Sequence, residues 1–210
     1  MDTFPLTVLD GFFSDPDKVL EYAKTLEYRG DPEGSWPGLR TRPLNEFNFE
    51  LHSNVCHKML FPFYGNAYDI PIRAEGTFQK IPAGEYTSGQ IHRDVPALAT
   101  GIVYLSPSGS MDTGTSLYSI KRDVVGLNVD LRTKYFDKDE SKKEAWNSQF
   151  EETVKVGGFY NRLFLFDSSQ YHRANEYNHN NGEDRYTLTY FFFDIQESMY
   201  PVTRSRRVLI

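Results

Sequence analysis

Arg162-Leu163-Phe164-Leu165-Phe166-Asp167-Ser168-Ser169-Gln170-Tyr171-His172-Arg173 is the stretch on which the fold turns. Its first half is strongly apolar and aromatic, which suits a short strand. The pattern breaks at Ser168-Ser169, where two small polar residues mark a turn. Tyr171-His172-Arg173 then resumes the sheet. In a barrel or jelly roll this places His172 on the side facing a ligand pair that comes from earlier in the chain.

That earlier pair lies in Gln90-Ile91-His92-Arg93-Asp94. On an extended segment residues i and i+2 share a face, so His92 and Asp94 converge while Arg93 points away. One His-x-Asp alone is weak evidence, because the two side chains also suit a hydrogen bond to each other at a strand end. Joined by His172, they make two imidazoles and one carboxylate, the facial set of non-haem iron sites. Downstream, Arg185-Tyr186-Thr187 opens the last strand, with Arg185 and Thr187 facing the same way. A guanidinium fork matches a carboxylate in two-point contact, and Thr187 offers a hydroxyl beside it. The alternative for Arg185 is a pairing with Glu183 or Asp184 in the preceding turn.

Working outward, strands are expected over residues 77–81, 89–92, 98–105, 115–120, 160–166 and 186–193. Each is short, β-branched or aromatic, and bounded by turn residues. Many short strands of this kind point to a barrel or jelly roll. Residues 1–75 read differently. A first strand lies within residues 5–13, and Ser14 then caps a helix with Asp17 closing a capping box and Pro16 in its first turn. A second helix spans about residues 46–60, with Leu51, Val55 and Met59 as its core stripe. Between them the loop Trp36-Pro37-Gly38-Leu39-Arg40-Thr41 either lines a binding surface or plugs the core. A charged insert covers residues 121–155. Its helical part, 137–150, places Trp146 and Phe150 on one face, as a surface helix on the sheet or as a lid.

The 210 residues suit one domain, with a core at 76–194 and a tail at 195–210. The 14 Tyr and 16 Phe favour β structure, and a net charge of -6 argues against a nucleic-acid partner. Arg204, Arg206 and Arg207 read as a solvated end. A single cysteine, Cys56, excludes an intrachain disulfide and fits a cytoplasmic setting. There is no signal-peptide layout and no membrane-length apolar run.

In the order His92-x-Asp94, Gly114-Thr115, a strand ending in Phe166-Asp167-Ser168, then His172, then Arg185-x-Thr187, residues 76–194 resemble the 2-oxoglutarate/Fe(II)-dependent oxygenases, in the style of the prolyl-4-hydroxylase-like branch. The resemblance implies a mainly β (α+β) chain with a double-stranded β-helix, a jelly-roll variant, flanked by N-terminal helices. It implies Fe(II) held by His92, Asp94 and His172, 2-oxoglutarate anchored by Arg185 and Thr187, and O₂ as co-reactant. Gln79 and Tyr86 are alternative further contacts to 2-oxoglutarate. The implied reaction is hydroxylation of a C–H bond in a small or amino-acid-like substrate, with release of succinate and CO₂.

Two rival functions keep the same residues: a cupin-type metalloenzyme that does not use 2-oxoglutarate, and a β-barrel binding module in which the His and Asp residues only pack. Other clusters point to structure. His52, Cys56 and His57 lack a fourth ligand for zinc, and Cys56 reads as a buried thiol. His179 reads as a turn residue, and Ser168 and Ser169 lack a nucleophile elbow.

Overall fold

The computed structural model describes residues 6–64, 70–124, 139–177 and 182–195. His179, the three tail arginines and part of the 121–155 insert lie outside them. Two antiparallel sheets build the core. The larger runs β1 (Thr7–Leu9), β8 (Arg162–Asp167), β5 (Ala99–Tyr104), β10 (Arg185–Ile195), β4 (Ile72–Ile81), β3 (Leu39–Arg40) and β2 (Arg29–Gly30). The smaller runs β7 (Phe150–Val156), β6 (Thr115–Ile120) and β9 (Tyr171–Ala174). Helices α1 (Pro16–Lys24) and α2 (Phe49–Tyr64) contribute to the same apolar cluster as the larger sheet, and α3 (Glu140–Asn147) precedes β7. This is the expected mainly β jelly-roll architecture.

Alternation along the strands explains the layering. In β8, Leu163 and Leu165 join the cluster shared with α1 and α2, while Phe164 and Phe166 join the cluster of Tyr104, Leu117 and Val156 from both sheets. All four are fully buried, so β8 reads as an unbroken apolar run because both its faces are covered. Each such side chain contributes about 1.5–3 kcal/mol. In β10, Leu188, Tyr190 and Phe192 face the helices. Arg185, Thr187, Thr189, Phe191 and Phe193 instead line a cavity on the other face. Period-2 geometry thus puts a row of polar and then aromatic side chains inside the jelly roll.

Several sequence expectations shift. Asp15, not Ser14, caps α1: its carboxylate accepts from the Lys18 amide at 3.1 Å. Asp17 closes no capping box and accepts instead from the Tyr160 hydroxyl. The second helix starts at Phe49 and extends to Tyr64, with a 3₁₀ turn at Leu44–Glu46 before it. Strand β4 begins at Ile72 because the whole length of β10 pairs with it, from Arg185↔Ile81 to Ile195↔Ile72. Segment 89–92 is no ladder strand; it makes one isolated bridge, His92↔His172. Strand β7 carries little strand signal in the sequence because its run Phe-Glu-Glu-Thr-Val-Lys-Val is polar: it is an edge strand with mostly exposed middle positions. Phe150 therefore opens β7 and is not on the helix, although its ring still meets Trp146 at 5.2 Å.

Helix α3 is a surface helix, with Lys143 buried and none of its residues in the cavity lining. Its side chains satisfy the backbone that 89–92 leaves unpaired. Trp146 Nε1 donates to Ile91 O at 2.7 Å, Asn147 Oδ1 accepts from Ile91 N at 2.9 Å, and Lys143 Nζ donates to Ser88 O at 3.1 Å. The helix does the work of a neighbouring strand for the segment that carries His92. Among the described residues no helix is long and apolar enough to cross a membrane.

Candidate metal centre and cavity

His92, Asp94 and His172 each offer a ligand atom, and these atoms lie within 4.8 Å of one another. The bridge between the two histidines fixes this: His92 N donates to His172 O at 3.0 Å, and His172 N to His92 O at 2.9 Å. Asp94 N then donates to Ser168 O at 3.0 Å, tying the carboxylate to the turn after β8. The broken segment Ser168-Ser169 thus aligns the third ligand with the first two.

Both imidazoles are oriented alike. His92 Nδ1 meets Gln90 O at 2.7 Å, and His172 Nδ1 meets Gln170 O at 2.9 Å. A carbonyl only accepts, so each Nδ1 carries the hydrogen and each Nε2 is left to face Asp94. The Nε2 of His172 lies 3.0 Å from Asp94 Oδ2, and that of His92 lies 3.5 Å from Oδ1. Adjacent ligands on an octahedral ion at about 2.1 Å stand roughly 3 Å apart, so the spacing fits a first-row divalent metal. Thr100 Oγ1 donates to Asp94 Oδ2 at 2.7 Å and also bonds Ser168 Oγ at 2.8 Å.

The charges interlock. Burial opposes ionisation of Asp94, yet the charge and hydrogen bond of His172, and then those of His92, hold its carboxyl well below the ordinary range. Burial pulls His92 down, but the hydrogen bond and charge of Asp94, together with the Gln90 carbonyl, outweigh this and its pKa is raised. The side chain of His92 is 40% exposed and that of His172 only 5%, so the cluster opens to the cavity mainly along His92.

The triad lies on the wall of a cavity of about 530 Å³, within the roughly 300–1,000 Å³ range of small-molecule sites. Arg185 and Thr187 line it too. Arg185 is buried between the rings of Tyr177 at 5.5 Å and Tyr104 at 5.7 Å. Glu183 and Asp184 do not neutralise it; Asp184 pairs with Lys80 at 2.8 Å, and no carboxylate of the described residues lies within 4.0 Å of the Arg185 guanidinium. Burial lowers its pKa, a measure of the cost of holding that charge out of water. The Thr187 hydroxyl is buried without a partner. An unpaired guanidinium beside an orphan hydroxyl is the donor set a carboxylate would complete.

Gln79 also lines the cavity, and its amide nitrogen donates to Pro37 O at 2.9 Å. Tyr86 lies behind the cavity wall, its ring edge-on to Tyr177 at 6.1 Å. The loop of Trp36 and Arg40 is part of the lining. Gly38 sets its path: φ is +72°, and a Cβ there would fall 2.5 Å from Lys80 O. Sequence reasoning missed Thr100, Ser168 and Asn147 as supports of the ligands. Thr100 and Asn147 carry no motif, and Ser168 stands in the sequence only as the end of the Phe166-Asp167-Ser168 strand, since each acts through a contact with residues far away in the chain. The cluster on α2 is no second metal site: Cys56 Sγ meets His52 Nε2 at 3.7 Å in the core, and the described residues hold one metal-competent group only.

The model of DUF6445, a family of unknown function, matches residues 1–192. No curated protein matches the chain. Solved structures do resemble it. HygX from Streptomyces hygroscopicus, with nickel and 2-oxoglutarate bound, superposes with a TM-score of 0.56 at 14% identity, over 91% of this chain and 83% of that one. AviO1 from Streptomyces viridochromogenes Tue57 gives 0.54 at 11%, over 93% and 92%. SnoN, a non-heme alpha ketoglutarate dependent epimerase from nogalamycin biosynthesis, gives 0.55 at 12%, over 90% and 77%. At these identities the likeness is one of fold, which this chain shares with 2-oxoglutarate/Fe(II) oxygenases.

Proposed function

We propose that this chain, which belongs to the DUF6445 family, is an Fe(II)- and 2-oxoglutarate-dependent dioxygenase that hydroxylates a C–H bond of a small or amino-acid-like substrate. One observation carries it: two histidines and a carboxylate meet on the wall of the same cavity that holds an unpaired buried arginine and an orphan threonine hydroxyl. HygX, of the same fold, is described with nickel and 2-oxoglutarate bound. A cupin-type metal site without a ketoacid has no use for Arg185 and Thr187, and a simple binding barrel has no use for the triad.

In this mechanism the Nε2 atoms of His92 and His172 and the carboxylate of Asp94 would hold the iron. When bound, Fe(II) with 2-oxoglutarate and O₂ supplies the oxidising chemistry, with succinate and CO₂ released. The protein supplies geometry. Gln90 O and Gln170 O fix each imidazole through Nδ1, so neither ring rotates out of line. Thr100 holds Asp94 through its Oδ2. Arg185 and Thr187 bind the distal carboxylate of the cosubstrate, and burial keeps that contact dry and strong. Phe191, Phe193 and Ile102 give the cavity its apolar lining.

Anaerobic Fe(II) followed by 2-oxoglutarate should produce the weak visible charge-transfer band of a chelated ketoacid, and the band should vanish in His92→Ala. Arg185→Ala should retain iron and require far more 2-oxoglutarate. Iron binding with no band would replace this assignment by the cupin-type one. No iron binding would favour the binding module.

A further inference from the structure

We propose that Arg40 and Trp36 form an anion subsite, separate from the cosubstrate site, and that the substrate oxidised here is a small molecule carrying a carboxylate. This builds on the dioxygenase assignment above.

The sheet register places the two arginines. Arg40 in β3 pairs with Gln79 in β4, and Gln79 pairs with Thr187 in β10. Directly paired residues project to the same face, so all three line the cavity. Arg40 stands two strands away from Thr187, roughly 10 Å at the spacing of neighbouring strands. At that spacing we assign Arg40 to a second anion, apart from the carboxylate that Arg185 and Thr187 would hold.

Arg40 is prepared for an anion that the chain itself does not provide. Its guanidinium lies 4.6 Å from the Trp36 ring centre and 5.8 Å from that of Phe191. No carboxylate of the described residues comes within 4.0 Å of it. Arg40 Nε and Trp36 Nε1 are both buried donors without an acceptor. Leaving such groups unpaired is costly, more so for a charged one. Burial lowers the Arg40 pKa, opposed most by the charge of Asp94, which the metal would engage, and then by Tyr177, Glu75 and Asp31.

Charge balance points the same way. A divalent metal, Asp94, a 2-oxoglutarate dianion and Arg185 cancel. Of the other charged residues in the lining, Arg40 and Arg93 outnumber Glu33, so one positive charge is left over in the cavity. A substrate carboxylate would neutralise it and orient the rest of the molecule towards the triad. A guanidinium on aromatic faces, with its N–H groups free, holds such a group in a defined direction.

The test is calorimetric titration of the metal-free protein with amino acids and simple monocarboxylic acids, against their amides, for wild type, Arg40→Gln and Trp36→Phe. At least one carboxylate should bind wild type, its amide should bind at least tenfold more weakly, and Arg40→Gln should lose at least tenfold in affinity. Trp36→Phe keeps the aromatic face but removes the N–H, so it should lose a smaller factor. It also serves if Arg40→Gln fails to fold. In parallel, the anaerobic Fe(II) band should titrate with 2-oxoglutarate equally in wild type and Arg40→Gln. A raised 2-oxoglutarate requirement would put Arg40 in the cosubstrate site and overturn the separate subsite. Equal binding of carboxylates and amides, equal binding by wild type and Arg40→Gln, or no carboxylate binding at all would each overturn it as well. A missing Fe(II) band in wild type would instead strike the dioxygenase assignment, since the calorimetry needs neither metal nor cosubstrate.

Discussion

Thr100→Val should loosen the metal without removing a ligand. Valine nearly matches threonine in shape, so the change replaces one hydroxyl by a methyl at a position 1% exposed. That hydroxyl donates to Asp94 Oδ2 at 2.7 Å and bonds Ser168 Oγ at 2.8 Å. A hydrogen bond to a charged group contributes about 1.5–3 kcal/mol, which corresponds to roughly 10- to 150-fold in an equilibrium constant. The metal shares the carboxylate's charge, so the upper end is out of reach, and supporting contacts of this kind are typically worth about 10- to 100-fold in metal affinity. The expected loss of Fe(II) affinity is therefore about tenfold to a few tens. It should be read by anaerobic competition with a coloured chelator. The orphaned Ser168 hydroxyl should cost a further ~1–3 kcal/mol of folding stability, read separately by denaturant titration of the metal-free protein. A variant that loses stability while keeping Fe(II) affinity within twofold of wild type would refute the assignment of Thr100 to the metal, and leave it a packing residue.

Asn147→Ala should remove the side-chain bonds to Ile91 N and Gly89 O, so amide exchange at Ile91 should speed up and Fe(II) should bind several-fold more weakly; unchanged exchange would mean that α3 does not hold the His92 segment. Cys56, its thiol pushed by burial up to about 12, should resist thiol reagents at pH 8 in the native protein and react after unfolding; fast native labelling would contradict its placement in the core. Metal stabilisation should grow with pH. In the metal-free protein His92, raised, favours folding below about pH 6.5 and loses that contribution as pH rises through its folded value, whereas Asp94, depressed, contributes above about pH 4 and loses it on acidification. Iron needs neutral His92, so the shift in melting temperature on adding Fe(II) or Ni(II) should be larger at pH 8 than at pH 6; a shift independent of pH would argue against His92 as a ligand.

What the sequence determined by itself was the part written in short-range periodicity. The apolar run at Arg162–Asp167, its break at Ser168-Ser169 and the return at Tyr171–Ala174 are local patterns, and the structure keeps them as β8, a turn and β9. The spacing of His92 and Asp94, and of Arg185 and Thr187, likewise carried into shared faces, because side-chain direction in extended backbone depends only on near neighbours. Tertiary structure decided everything that rests on a partner far along the chain. The polar strand β7 forms because β6 offers it an edge. Segment 89–92 does without a ladder because Trp146 and Asn147 cap its backbone from α3. Thr100 and Ser168 become supports of Asp94 only where β5 meets the turn after β8. Arg40 is no different in sequence from any loop arginine. It becomes a half-buried charge with a buried, unpartnered Nε because Gly38 lets its loop close onto β4, and the cost of that burial is set by the surrounding protein, not by the residue.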